Sequence, residues 1–455
     1  MITGHSSSIH TFEDLQYLRT CLLTWYKSNA RVLPWRKSCV APPTMSMSKE
    51  ERSCSLQRAY EVLVSEMMLQ QTQVATVIPY FNRWMKRFPT WERLATADLE
   101  EVQSLWAGLG YYSRAKRIKE AAIYLMKLEQ EMRPIPTDVE SWVKNVPGCG
   151  EYTAGAVLSI AWNIRCPIVD GNVIRVLTRL RAVGADCHKG KGKRWVWDSA
   201  SQIVDNDQPG DFNQALMELG ATVCTPANPN CESCPLNKSC LALKEAKSVL
   251  FGDHIVSGET KHVKECNLCP IEELKQFTSI KTYIVGKYPK KIAKKPQKVQ
   301  EGIVFVPVKE KNKIKEYYLE KRPPKGLLAG LWDFRTLSIQ DNNDNKDVEQ
   351  YAKQMLKSGE IIGFYRKGDT VHQFTHIKQI SHVYLIEVNS KTEFYGEGCW
   401  MSEEIMKNQS VPELTWKNFR QAIDSEKRTL SNKTKDANKR LKVNNDKLKQ
   451  TTLSF

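Results

Sequence analysis

Four cysteines, Cys224, Cys231, Cys234 and Cys240, fall within seventeen residues at the spacing C-x6-C-x2-C-x5-C, in TVCTPANPNCESCPLNKSC. Four thiolates that close in sequence can wrap one metal ion or one cubane cluster. Zinc sites more often join two close pairs. A single close pair flanked by longer arms suits the four corners of a 4Fe-4S cluster, which is the expected occupant, with zinc and unliganded thiols as the alternatives. A second constellation lies upstream in VKNVPGCGEYTAGAV, where Pro147, Gly148 and Gly150 separate two helical stretches. Glycines at such a turn let backbone amides approach a phosphate closely, although a plain helix connection would read the same way.

The elements that must carry these groups are legible from periodicity. From Phe12 to about Leu243 apolar residues recur at three- and four-residue spacing, as at Leu63, Met67 and Val74, or Val173, Val176, Leu177 and Leu180. One stretch, Lys37 to Arg58, shows no clear period and reads as a surface insertion. A basic, polar connector occupies 246–299. Beyond it come short β-rich runs, Ile303 to Val308, Tyr317 to Leu319 and Val383 to Val388. The expected plan is multidomain: an all-α domain over 1–245, the connector, an α+β domain over 300–424, and a basic tail over 425–455 too poor in apolar residues to bury a core.

Charge narrows the partner. The formal net charge is +16, and Glu426 to Phe455 holds nine Lys or Arg against three Asp or Glu, so +6 lies in the tail and +10 on the rest. That surplus favours a polyanion, and nucleic acid fits. Thirteen cysteines, no apolar run near membrane-spanning length and no secretory start lead to the expectation of a non-secreted, non-membrane protein with free thiols.

On these residues the chain resembles a known family. The hairpin, the following VDGNV (Val169 to Val173) and the cysteine spacing are similar to the helix-hairpin-helix DNA glycosylases. Within them, LPWR (Leu33 to Arg36), SEMMLQQTQVATVIPYF (Ser65 to Phe81), GLGYYSRA (Gly108 to Ala115) and GDFNQALMELGATVCT (Gly210 to Thr225) resemble the adenine DNA glycosylases, the MutY family in its eukaryotic form. The resemblance implies a helix-hairpin-helix glycosylase domain bearing the iron-sulfur module, a Nudix-like C-terminal domain, and a monomer that removes adenine mispaired with 8-oxoguanine or guanine in double-stranded DNA.

Cleaving an N-glycosidic bond needs an acid for the departing base and an anion for the oxocarbenium-like sugar. The resemblance assigns these roles to Glu66 and Asp170. Glu66 stands among Val62, Leu63, Met67 and Met68, surroundings that disfavour its ionised form. It implies that Tyr152 and Asn172 assist. Relatives that also cut the strand carry lysine at the place of Tyr152, and a phenol cannot form an imine, so the expected enzyme is monofunctional. Gln71 and Tyr111 resemble residues that enter the base stack around the lesion, and Arg36 and Leu69 belong to the same implied surface. The readings set against this one are a pyrimidine-lesion glycosylase-lyase and a non-catalytic DNA-binding iron-sulfur protein.

In the second domain, HQFTHIK resembles the segment that reads 8-oxoguanine, through Phe374, Thr375 and His376. Thr375 replaces the more frequent serine and keeps its hydroxyl. GLLAGLWDF (Gly326 to Phe334) is similar to 8-oxo-nucleotide pyrophosphatases, but SIQDNNDNKDVEQ follows it in place of the Glu-rich metal box, so recognition is expected, not phosphohydrolysis. Cys266 and Cys269 resemble zinc-binding connector cysteines, with His254, His262, Cys39 or Cys54 to complete the site. Gln450, Leu453 and Phe455 resemble a shortened sliding-clamp-binding peptide. The basic run Lys439 to Lys449 suits nuclear import or DNA binding alike. The expected residence is the nucleus, with the mitochondrion as a second site.

Overall fold

The computed structural model describes residues 7–251, 266, 268–269, 277–292, 296–339 and 348–423. His254, His262, Gln450, Leu453, Phe455 and the run Lys439 to Lys449 lie outside the described residues. Two compact units emerge, one formed by 1–97 with 113–294 and the other by 98–112 with 295–455. Among the described residues no helix is long and apolar enough to cross a membrane.

The first unit is helical. Its helices include α1 (Leu15–Asn29), α2 (Lys49–Leu69), α3 (Val74–Arg87) and α4 (Trp91–Ala95). After α5 (Leu99–Trp106), which groups with the second unit, come α6 (Ser113–Gln130), α7 (Val139–Asn145) and α8 (Glu151–Ala156). Then follow α9 (Gly171–Leu180), α10 (Gly190–Ile203), α11 (Pro209–Thr222), α12 (Leu241–Phe251) and α13 (Ile280–Lys287).

Helix α2 is the axis of this unit. Its run from Leu56 to Met68 is buried apart from Gln57, so it has no solvent face. The surface insertion expected over Lys37 to Arg58 is corrected here, because α2 begins at Lys49. Ser48 accepts a hydrogen bond from the Glu51 amide at 3.2 Å while the Glu51 carboxylate accepts from the Ser48 amide at 2.9 Å. This reciprocal cap starts a helix whose first turn lacks apolar periodicity. Buried aromatic donors are satisfied around it: Trp84 Nε1 donates to the Tyr60 hydroxyl at 2.9 Å, which donates to the Phe88 carbonyl at 2.7 Å, and Trp91 Nε1 reaches the Leu56 carbonyl at 2.7 Å. A second core joins α1, α9, α10 and α11 through Leu22, Leu177, Val196 and Phe212.

The second unit is built on a seven-stranded sheet. Strands β1 (Lys298–Lys311) and β2 (Ile314–Lys321) form a hairpin, β3 (Trp332–Asp333) pairs with β2, and β4 (Thr336–Ile339) with β1. Helix α14 (Val348–Gln354) and strand β5 (Leu356–Ser358) precede the long hairpin of β6 (Ile361–Gln373) and β7 (Ile377–Val388). Strand β7 runs parallel to β1, with Val304 opposite Val383 and Val306 opposite Leu385. Strands β8 (Glu393–Phe394) and β9 (Gly398–Met401) close the set, pairing with β5 and β2. Alternation sends Val304 and Val306 into one core with Phe334 and Phe419, and Ile303 and Phe305 into another with Met355 and Phe394. Both faces of β1 are therefore covered, which explains its near-continuous apolar run.

Asp333 ties the first of these cores to the strand ends. Its buried carboxylate accepts from the Phe334 amide at 2.9 Å, the Thr415 hydroxyl at 2.5 Å and Arg322 at 2.7 Å. Asp333→Ala leaves a buried hydroxyl and a guanidinium without their acceptor, so thermal or urea unfolding of the full chain should report a loss of about 2–4 kcal/mol.

Candidate active site

The buried stretch of α2 borders, near the C-terminal end of the helix, a cavity of about 560 Å³ in the first unit. Into this cavity face Glu66 from α2, Tyr152 from α8, and Asp170 with Asn172 at the start of α9. Arg36, Leu69 and Gln71 line it as well. A space of this size is that of a small-molecule site, large enough for an extruded base.

The Tyr152 hydroxyl donates to Glu66 Oε2 at 2.5 Å. Burial pushes the Glu66 carboxyl up to about 7, the Tyr152 bond opposes that rise, and the charge of Asp170 adds to it. Burial, together with the neighbouring Glu66, raises the Tyr152 phenol well above its ordinary range, so it remains a donor. Asp170 is the N-cap of α9: Oδ1 accepts from the Val173 amide at 2.7 Å and Oδ2 from Asn172 Nδ2 at 2.7 Å. Burial raises its carboxyl, and those two bonds, which favour the anion, work against the rise. The structural N-cap and the site carboxylate are thus one and the same group.

Several site residues carried no signal that the sequence reading used. Arg175 Nη2 donates to Asn172 Oδ1 at 2.7 Å and to the Gly220 carbonyl at 2.6 Å, while its Nε reaches the Cys224 carbonyl at 2.7 Å. One guanidinium therefore joins the Asp170–Asn172 pair to the first residue of the four-cysteine loop. Glu218, inside the apolar run of α11, is gripped by Arg31 at 2.6 and 2.7 Å and by Arg36 at 2.8 Å. Burial alone would raise it, yet the arginine bonds hold it down to about 2. A lone acid in ALMELGA was the available clue. Arg114 of GLGYYSRA donates to the carbonyls of Met67, Met68 and Gln70, closing the end of α2.

Gln71 follows that end with φ of +56°, the left-handed conformation that glycine adopts most easily, so a long polar side chain is held there at a cost of roughly 1 kcal/mol. Of the hairpin residues, Gly148 has φ of +82°, and a Cβ there would fall 2.5 Å from Met67 Cε and 2.8 Å from Arg117 Cβ. Gly150 is the N-cap of α8, with open space around it, and Pro147 precedes this turn.

Cys224, Cys231, Cys234 and Cys240 line a small cavity of about 30 Å³ closed by Arg179, which donates to Cys224 Sγ at 3.4 Å. Burial and mutual repulsion push the thiols of Cys234 and Cys240 up to about 12, a cost that a bound metal would remove. Among the described residues, one trio of potential ligands closes to within 4.8 Å, and it is His10, Cys266 and Cys269. Cys39 and Cys54, two of the expected partners for the connector cysteines, are exposed and stand outside it. His10 comes from a short helical turn ahead of α1, too distant in sequence for spacing to reveal.

In the second unit, Phe374, Thr375 and His376 form the turn between β6 and β7. The Phe374 ring lies 4.5 Å from that of His372, and the hydroxyls of Tyr111 and Thr375 hydrogen-bond. A residue expected in the base stack, Tyr111, thus touches one expected to read 8-oxoguanine, Thr375, within one unit.

The Glu66 proton carries a stability signature. Folded Glu66 keeps a proton that the unfolded chain releases near 4.5, so between about 4.5 and 7 the native state binds more protons and stability falls as pH rises. Glu66→Gln removes this penalty. Its melting temperature should exceed that of the parent at pH 8 and approach it at pH 4.5.

Comparison with known proteins agrees with this architecture. Residues 64–201 match the HhH-GPD superfamily of base excision DNA repair proteins, and residues 304–421 match the NUDIX domain family. The adenine DNA glycosylase of Schizosaccharomyces pombe is 38% identical over 94% of this chain and 95% of the relative. That of Mus musculus is 37% identical over 93% of this chain and 82% of the relative. The Homo sapiens protein of the same name is 38% identical over 91% and 76% respectively. With such identity sustained along nearly the whole chain, and Glu66, Tyr152 and Asp170 gathered in one cavity, this protein belongs to the adenine DNA glycosylase family.

Proposed function

We propose that the chain is a monofunctional glycosylase of base excision repair that removes adenine mispaired with 8-oxoguanine or guanine and leaves an abasic site. The observation that carries this reading is the 2.5 Å bond from Tyr152 to a buried Glu66, beside Asp170 in the same cavity. A carboxyl raised to about 7 retains a proton at neutral pH and can give it to N7 of an extruded adenine. As the base departs, the Asp170 carboxylate stabilises positive charge on the sugar, and Asn172 orients it through the 2.7 Å bond. Glu66, then deprotonated, accepts a proton from the attacking water. Tyr152 offers a phenol where imine chemistry would need an amine.

Gln71 and Tyr111 would fill the stack that the extruded base vacates, Leu69 and Arg36 would border the base, and the Pro147–Gly150 turn would hold backbone phosphate. Phe374, Thr375 and His376 would read 8-oxoguanine. The proposed partners are the mispaired duplex and, through QTTLSF, a sliding clamp; the nucleus and mitochondrion are the proposed sites of action.

Two metal groups fit the donors present. Cys224, Cys231, Cys234 and Cys240 would hold a 4Fe-4S cluster, which would tie their loop together and, through Cys224, support Arg175. Among the described residues these four sulfurs close no trio within 4.8 Å, a wider spread than one tetrahedral zinc favours. His10, Cys266 and Cys269 would supply three corners of a structural zinc site.

Single-turnover base release should be fast on adenine opposite 8-oxoguanine, slower opposite guanine and undetectable on oxidised pyrimidines, without borohydride-trapped crosslinks. Equal release of oxidised pyrimidines would overturn the assignment. Base release should decline as pH rises past about 7, and Tyr152→Phe, by removing a bond that favours ionised Glu66, should move that decline to higher pH. Metal analysis should find one zinc lost, with iron retained, in both Cys269→Ser and His10→Ala.

A further inference from the structure

Leading into and through the first turn of α10 the chain reads His188-Lys189-Gly190-Lys191-Gly192-Lys193-Arg194. The turn is a built feature. Gly190 takes φ of +56°, Gly192 is buried with a Cβ position 2.2 Å from the Asp186 carbonyl, and Asp186 Oδ1 accepts the His188 amide at 3.0 Å. A side chain at 192 would collide with the Asp186 carbonyl, and one at 190 would meet open space but strain the left-handed backbone, so the two glycines fix the path of the chain here. Lys189, Lys191, Lys193 and Arg194 are all exposed.

Their counter-charges are sparse. Asp186 lies 3.6 Å from Lys189 and Glu151 lies 3.8 Å from Lys193, both longer than a hydrogen-bonded ion pair. Among the described residues, Lys191 and Arg194 enter no ion pair. Concentrating four cations on a pinned turn raises their mutual repulsion, which a polyanion would relieve. Position identifies the polyanion. Glu151 is the first residue of α8, directly after the Gly148–Gly150 turn, so Lys193 sets the ridge beside that hairpin, and Arg117 of α6 packs against Gly148 itself.

We infer that the ridge at the start of α10 is a second phosphate-contact surface, which continues the DNA track from the hairpin along the duplex flanking the mispair. The inference rests on the reading of the hairpin as a DNA contact. Side-chain ammonium and guanidinium groups meeting phosphates carry no sequence information, so the ridge adds grip to damaged and undamaged duplex alike. It has no part in bond cleavage.

The test uses the full-length, metal-loaded protein and its Lys191→Ala/Arg194→Ala variant. Binding to a duplex with adenine opposite 8-oxoguanine, and to the same duplex without the lesion, is titrated by fluorescence anisotropy over a range of KCl. Loss of two phosphate contacts should make the slope of log affinity against log salt shallower by about 1.8, at ~0.9 per contact. Affinity should fall by the same factor, on the order of tenfold, for both duplexes. Base release at saturating protein should be unchanged, and Lys191→Glu/Arg194→Glu should weaken binding further. An unchanged slope, or a loss confined to the mispaired duplex, overturns the inference. Failure of the parent to release adenine would refute the proposed function, and the salt slope would still decide the ridge.

Discussion

A carboxyl group deprived of water is the constraint on which the rest of this structure turns. Glu66 lies in a helix with apolar neighbours on nearly every side, and its ionised form has little solvent to stabilise it. The remaining polar partner is Tyr152, whose hydroxyl is fixed by the short helix that follows the glycine turn. That arrangement stores a proton at neutral pH at the expense of stability. Such a group is poorly explained as a structural element and well explained as an acid.

The cavity separates its carboxyl groups by environment. Glu66 is driven up by burial, whereas Glu218, lining the same cavity, is driven down by Arg31 and Arg36. Residues of one chemical type are thus shifted in opposite directions across a single pocket. The arginines are positioned by Glu218, and Arg36 in turn favours the ionised form of Glu66, limiting how far its carboxyl rises. Electrostatics here is a property of the assembled wall, and no single side chain specifies it.

Asp170 depends on a different set of supports. Its cap on α9 places it, Asn172 keeps one oxygen engaged, and Arg175 holds Asn172 while reaching the Cys224 carbonyl. A Cβ on Gly220 would fall 2.6 Å from Asn172 Cβ, so α11 approaches α9 closely only because glycine stands there. The cysteine loop and Asp170 are consequently parts of one hydrogen-bonded assembly.

Local signals in the amino-acid order determined the helical and β-rich halves, the cysteine spacing, the glycine turn, and, through resemblance, Glu66, Asp170 and Tyr152, because periodicity and short motifs are written over neighbouring residues. Lys49 to Arg58 was missed as helix, since its reciprocal cap outweighs an absent apolar rhythm. Tertiary structure alone decided which distant groups meet. His10 joins Cys266 and Cys269, Arg175 spans α9 to the four-cysteine loop, Arg31 finds Glu218, and Arg114 closes α2. Each pairing joins residues more than forty positions apart and exists only because helices pack side by side, so no window of sequence contains it.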